Sequence, residues 1–118
     1  MSGTEAKNKR VVFVTCPTRG LARKIARAVV GKRLAACVNI VVSPVESVYT
    51  WKGKLESARE YLLVMKTTAK RLVELEREVA RLHSYDVPEI IALPITEGSA
   101  KYLSWLDDSV AKSRRKGK

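Results

Sequence analysis

Apolar positions along the chain follow two periods. Residues 11–15 are β-branched and aromatic without alternation, which predicts a strand buried on both faces; Pro17, lacking an N–H, ends it. From Thr18, a candidate N-cap, Ala22, Ile25, Ala26 and Val29 recur at helical spacing, and residues 31–33 close that helix. Residues 36–42 and 45–51 both read as strand, with Ser43-Pro44 between them as a bulge or bend. Lys52-Gly53-Lys54 supplies turn chemistry before a further strand at residues 60–67, so a hairpin is expected around Gly53.

Residues 69–83 carry Leu72, Leu75, Val79 and Leu82 on one helical stripe, with Glu74, Arg77, Glu78 and Arg81 spaced for i, i+3 ion pairs. Pro88 biases Val87 to extended backbone, which stops that helix and leaves residues 89–95 as a fourth strand, placed near a sheet edge by Pro94. Ser99 caps a last helix in which Tyr102, Leu103, Leu106 and Val110 share a face, with Trp105 nearby. The order β-α-β-β-α-β with a C-terminal helix is the split βαβ pattern. Right-handed crossovers make an α+β, ferredoxin-like sandwich its natural solution.

The hairpin is the informative departure from that plan. Residues 36–54 form nearly continuous strand, longer than the usual 5–6 residues, and helices of about four turns cannot cover its far half. Yet this projecting ribbon carries Val45, Val48, Tyr49, Trp51 and Leu55. Side chains of that kind contribute roughly 1.5–3 kcal/mol each when fully buried, so a second copy of the chain is expected to cover them.

Composition narrows the classes further. With 46% apolar and 30% charged residues and only short apolar runs, the 118-residue chain is a one-domain globular sequence without a membrane span. The apolar run at residues 11–14 is too short for a secretory signal, which predicts a cytoplasmic protein. Cys16 and Cys37 show no paired spacing and are expected to be reduced thiols.

The formal net charge of +11 raises nucleic acid as a partner, but much of the excess lies at the ends. Residues 1–10 hold Lys7, Lys9 and Arg10 against Glu5, and residues 112–118 hold five bases and no acid. Both are expected to be disordered basic tails around a domain of residues 11–111. Within the domain, Arg19, Arg23 and Arg27 form a basic ridge on the first helix. That ridge supports the alternative function, a nucleic-acid-binding ferredoxin-like protein, although the aromatic pattern of RNA-recognition sheets is absent.

Five segments together resemble one known family. They are LAACVNI at residues 34–40, ESVYTWKGKLE at 46–56, MKTT at 65–68, YDVPEIIALPI at 85–95 and YLSWL at 102–106. In this order, across about residues 11–110, they are similar to the CutA divalent-cation tolerance family. The resemblance implies a cytosolic homotrimer whose long hairpins join neighbouring sheets, similar in architecture to the PII signalling proteins. It further implies a link to copper and other divalent cations. A shared fold does not by itself establish signalling.

For such an ion, copper above all, imidazole and thiolate are the preferred donors, so His83, the only histidine, and Cys37 are the first candidates. Glu60 and Glu89 are the accompanying carboxylates, with Cys16 and Asp86 as further options. His83 is placed at a helix C-terminus, where the dipole favours its protonated form and opposes metal binding. One chain lacks a multi-histidine site, but a trimer brings copies of each ligand together.

Trp51, Lys66, Tyr85, Tyr102 and Trp105 lie within the recognised segments and are candidates for an intersubunit pocket, in which Lys66 would hold a small anionic ligand. An unknown protein partner is the remaining possibility. The chain lacks nucleophile-elbow, zinc-protease and phosphate-loop motifs, which argues against an enzyme. A catalytic Lys66 would require a dry pocket that depresses its pKa.

Overall fold

The protein is described by a computed structural model covering residues 6–111. Five strands and three α-helices follow in the order β1 (Lys9–Cys16), α1 (Arg19–Gly31), β2 (Cys37–Ile40), β3 (Val45–Trp51), β4 (Lys54–Thr68), α2 (Leu72–Leu82), β5 (Ile90–Pro94) and α3 (Ala100–Val110). A 3-10 turn, Ala69–Arg71, leads into α2. The sheet order is β2-β4-β1-β5, with β3 continuing along the far half of β4. All neighbouring strands are antiparallel. The expected α+β ferredoxin-like sandwich is therefore the observed architecture.

Alternation sorts the sheet into two faces. Val12, Val14 and Cys16 of β1 and Leu63 and Met65 of β4 are fully buried against Ala22, Ile25 and Val29 of α1 and Leu75 and Val79 of α2. Both crossover helices thus share one face, as the split βαβ order requires. On the other face α3 covers only one end, where Leu106 and Val110 meet Ala36 and Ile95. There Lys9 Nζ lies 3.7 Å from Asp107. Val11 and Phe13 remain half-buried, so β1 is not enclosed on both sides within one subunit.

Local chemistry sets the element ends. Thr18 Oγ1 accepts from the Leu21 N–H at 3.1 Å, and Ser99 Oγ accepts from Tyr102 N–H at 3.1 Å, so both expected caps form. Helix α1 ends in a Schellman motif, with Leu34 N–H donating to the Val29 carbonyl and Arg33 N–H to that of Val30. Its left-handed residue is Arg33 (φ 60°) rather than Gly31, which stays helical. The Arg33 carbonyl accepts from Arg71 Nε at 3.1 Å, and its guanidinium reaches the Ala111 carbonyl at 3.3 Å. Tertiary ties thus hold a conformation that glycine adopts without strain.

Helices α1 and α2 are joined by Glu78, which accepts from Lys32 Nζ at 2.9 Å and from Arg81 Nη2 at 2.7 Å. These hydrogen bonds, with Arg81 first, hold its carboxyl down at about 2.

Strand β4 is 15 residues long and pairs with β2 and β3 as two halves of one bent strand. Val41 N–H still donates to the Leu62 carbonyl, and pairing resumes at Val45 opposite Glu60. Residues 42–44 therefore oppose Tyr61 alone, and Pro44 sits in this bulge as expected. At the tip, Lys52 (φ 53°) and Gly53 (φ 80°) form a two-residue loop with both φ positive, the geometry that suits strand twist. Every residue from 48 to 57 is exposed, and the molecule measures 49 × 28 × 24 Å. The arm projects as anticipated.

Several boundaries differ from the sequence reading. β1 starts at Lys9, two residues before the expected edge of the domain, and Ala6 is buried. β2 covers only Cys37–Ile40 because the bulge takes the remainder. β4 begins at Lys54 instead of residue 60, since pairing with β3 imposes extended backbone on a polar stretch. Of the tails expected at residues 1–10 and 112–118, residues 1–5 and 112–118 lie outside the described residues, while Lys9 and Arg10 belong to β1.

Candidate functional site

An open cavity of about 490 Å³ lies between the hairpin and the segment that joins α2 to β5. β3 contributes Tyr49 and Trp51, β4 contributes Glu60, and β1 contributes Thr15. Alternation explains the first three, since Tyr49, Trp51 and Glu60 share one face of the β3-β4 ribbon. The connecting segment supplies Tyr85, Asp86 and Glu89, with Ser84 and Val87 completing the wall. Among the described residues three carboxylates line this space and no lysine, arginine or histidine does.

The connecting segment is held by three side-chain bonds. Tyr85 Oη donates to Glu60 Oε2 at 2.9 Å. His83, only 8% exposed, places Nε2 2.7 Å from the Thr15 carbonyl, while its Nδ1 lies 3.1 Å from the Tyr85 N–H. A carbonyl only accepts and a backbone N–H only donates, so the ring is neutral, protonated at Nε2 and accepting at Nδ1. The Tyr85 ring packs at 4.8 Å from it. Burial first, then the Glu60 bond, raises the Tyr85 phenol to about 12.

His83, the C-cap of α2, is therefore a buried latch, and both its ring nitrogens are in use. Metal ligation by Nδ1 requires release of the Tyr85 N–H. Cys16 is fully buried, and burial, followed by the charge of Glu60, raises its thiol to about 11.

Of the expected metal ligands, Glu60 and Glu89 share the cavity with Asp86, while His83 lies beneath its wall. Cys37 is elsewhere, on β2 opposite Lys66. Among the described residues no three histidine, cysteine or acidic side chains are arranged to hold a metal ion.

The expected intersubunit pocket likewise divides within one subunit. Trp51 and Tyr85 line the cavity, whereas Lys66 donates to Asn39 Oδ1 on the sheet. Tyr102 and Trp105 form a largely exposed pair on α3 with rings 5.4 Å apart. Burial and then the charge of Cys37 raise the Tyr102 phenol, linking that pair to the Cys37 end of the sheet.

Thr15 and Tyr49 were not among the expected site residues, although Tyr49 was named with the apolar side chains of the arm. The face shared by Tyr49 and Trp51 was a usable signal, but the approach of Thr15 depends on the β1-β4 register. On α1, Arg19, Arg23 and Arg27 are exposed and make no hydrogen bond or ion pair among the described residues.

Fold and cavity together define a ferredoxin-like α+β protein with an elongated β-arm and an acidic, aromatic-walled recess at its base. A family profile described as "CutA1 divalent ion tolerance protein" matches residues 10–109, and the chain belongs to this family. It is 48% identical over 101 residues to the divalent-cation tolerance protein CutA of Thermus thermophilus, covering 86% of this chain and 97% of that one. It is 54% identical over 99 residues to the chloroplastic CutA of Arabidopsis thaliana, covering 84% of this chain but only 54% of the relative.

The solved Thermus thermophilus structure superposes with a TM-score of 0.85 at 47% identity, covering 87% of this chain and 99% of that chain. CutA1 from Oryza sativa gives 0.86 at 44% identity, covering 92% and 99%. No described helix is long and apolar enough to cross a membrane. The nucleic-acid alternative gains no support from these relatives.

Proposed function

We propose that the chain acts as a homotrimeric, non-enzymatic protein that binds divalent metal ions, copper among them, where its subunits meet. The observation that carries this reading is the convergence of Glu60, Asp86 and Glu89 on one cavity without a basic neighbour among the described residues, in a chain of net charge +11. Such a recess attracts cations although the molecule as a whole repels them.

One subunit does not complete a copper site, because Cys37 and the cavity carboxylates lie apart and His83 is internally bonded. Assembly brings a neighbour's donors to Glu60 and Glu89, and in the same way unites Trp51 and Tyr85 with Lys66, Tyr102 and Trp105 in an intersubunit pocket. The exposed apolar side chains of the arm, Val48 and Leu55, supply the driving force for that assembly.

Titration calorimetry of the assembled protein with cupric, zinc and magnesium ions tests the proposal. Cupric binding that weakens at least tenfold in the Glu60→Gln, Glu89→Gln double variant, with assembly unchanged, is the expected outcome. Absence of cupric binding, or equal binding by both proteins, would overturn it.

A further inference from the structure

Two buried polar groups in the cavity remain unsatisfied, and together they describe a ligand. Glu60 is only 7% exposed, yet it makes no ion pair among the described residues, and its one hydrogen bond comes from a neutral phenol to Oε2. Oε1 has no donor among the described residues. Thr15, also 7% exposed, lines the same space, and its hydroxyl has no partner among the described residues. A buried carboxylate without a cation and a buried hydroxyl without a hydrogen bond both carry desolvation costs that a ligand would relieve.

The walls specify that ligand further. Tyr49 and Trp51 present aromatic surface beside these acceptors. Aromatic faces attract cations, most strongly ammonium and guanidinium groups carried into a partly dry site. A bare metal ion gains little from such walls and needs close-set ligands, which the described residues of one subunit do not provide. The cavity, about 490 Å³, is of small-molecule size.

We propose that this cavity binds a primary alkylammonium ion, whose three N–H groups are shared between Glu60, the Thr15 hydroxyl and an outer carboxylate of Asp86 or Glu89, with its methylene stem against Tyr49 and Trp51. The inference rests on the reading of this cavity as cation-selective, but not on metal binding. It explains why, among the described residues of one subunit, acceptors and aromatic rings line the recess without any base. It also assigns Thr15 a role that packing does not give it.

Calorimetric titration of the full-length protein with n-butylammonium chloride, and with sodium butyrate as a matched anion, tests the assignment. Butylammonium is expected to bind once per subunit and to change Trp51 fluorescence, while butyrate gives no heat. Glu60→Gln, which retains an acceptor for Tyr85, is expected to weaken binding at least tenfold, and Thr15→Val about threefold. Failure of butylammonium to bind, equal binding of butyrate, or unaltered affinity in both variants would overturn the inference. Cupric binding without amine binding would sink this proposal and leave the metal reading standing, whereas amine binding without cupric binding would do the reverse.

Discussion

Replacing Leu55 by Asp separates the stability of the subunit from that of its assembly. Leu55 is 77% exposed in the single subunit, so the folded monomer loses little when it changes, within about 0.5 kcal/mol for a surface site. In a trimer that covers the arm, about three-quarters of the side chain is newly buried. Full burial of leucine is worth about 1.5–3 kcal/mol, which makes this contribution about 1–2 kcal/mol per subunit and about 3–7 kcal/mol per trimer. That corresponds to a factor of about 10²–10⁵ in the trimer dissociation constant, before the cost of desolvating the aspartate. Sedimentation velocity across a micromolar to nanomolar series should show a wild-type trimer and a dissociating, still folded Leu55→Asp variant. Superimposable profiles for the two proteins, or a wild-type monomer throughout, would refute the argument from the arm.

Two further predictions concern the subunit itself. The Glu78 carboxyl is held at about 2 in the folded protein against an ordinary value of 4.5, so its contribution is complete above pH 4.5 and is lost as pH falls towards 2. Denaturant unfolding of Glu78→Gln should show a shallower loss of stability over that window, and an unchanged slope would remove the Lys32–Glu78–Arg81 link from the account. Leu63→Ala opens space in the core between the sheet and the two crossover helices and should cost about 2–5 kcal/mol, while Leu62→Ala, half-buried on the opposite face, costs less. Equal losses in thermal or denaturant unfolding would contradict the assigned faces.

Much of the fold was legible because its signals are local. Thr18 and Ser99 cap the helices they precede, Leu75 and Val79 mark the buried stripe of α2, and Pro44 marks the bend in the long strand. The polar start of β4, residues 54–59, lacked any such signal, since its extended form depends on pairing with β3. Arg33 took the left-handed position in place of a nearby glycine because the Arg71 and Ala111 contacts come from distant parts of the chain.

The site was legible in part for the same reason. Trp51, Tyr85 and Glu89 lay in recognised segments, Glu60 opened an expected strand, and all four line the cavity. Cys37, Lys66, Tyr102 and Trp105 are held away from them by the register of β2 and the placement of α3. His83 could be placed at the end of α2 from periodicity, but its burial depends on how the following segment folds back over Thr15.

The pairing that resumes beyond the bulge at residues 42–44 decides which side of the arm carries the rings. Residues opposite each other share a face, so Val45 opposite Glu60 puts Tyr49 and Trp51 on the side of Glu60, however many residues the bulge absorbs. A slip of β3 against β4 by one residue would instead turn both rings outward and bring Val48 and Thr50 in. Lineages that remodel this corner should therefore vary its length more freely than the alignment of Val45 with Glu60.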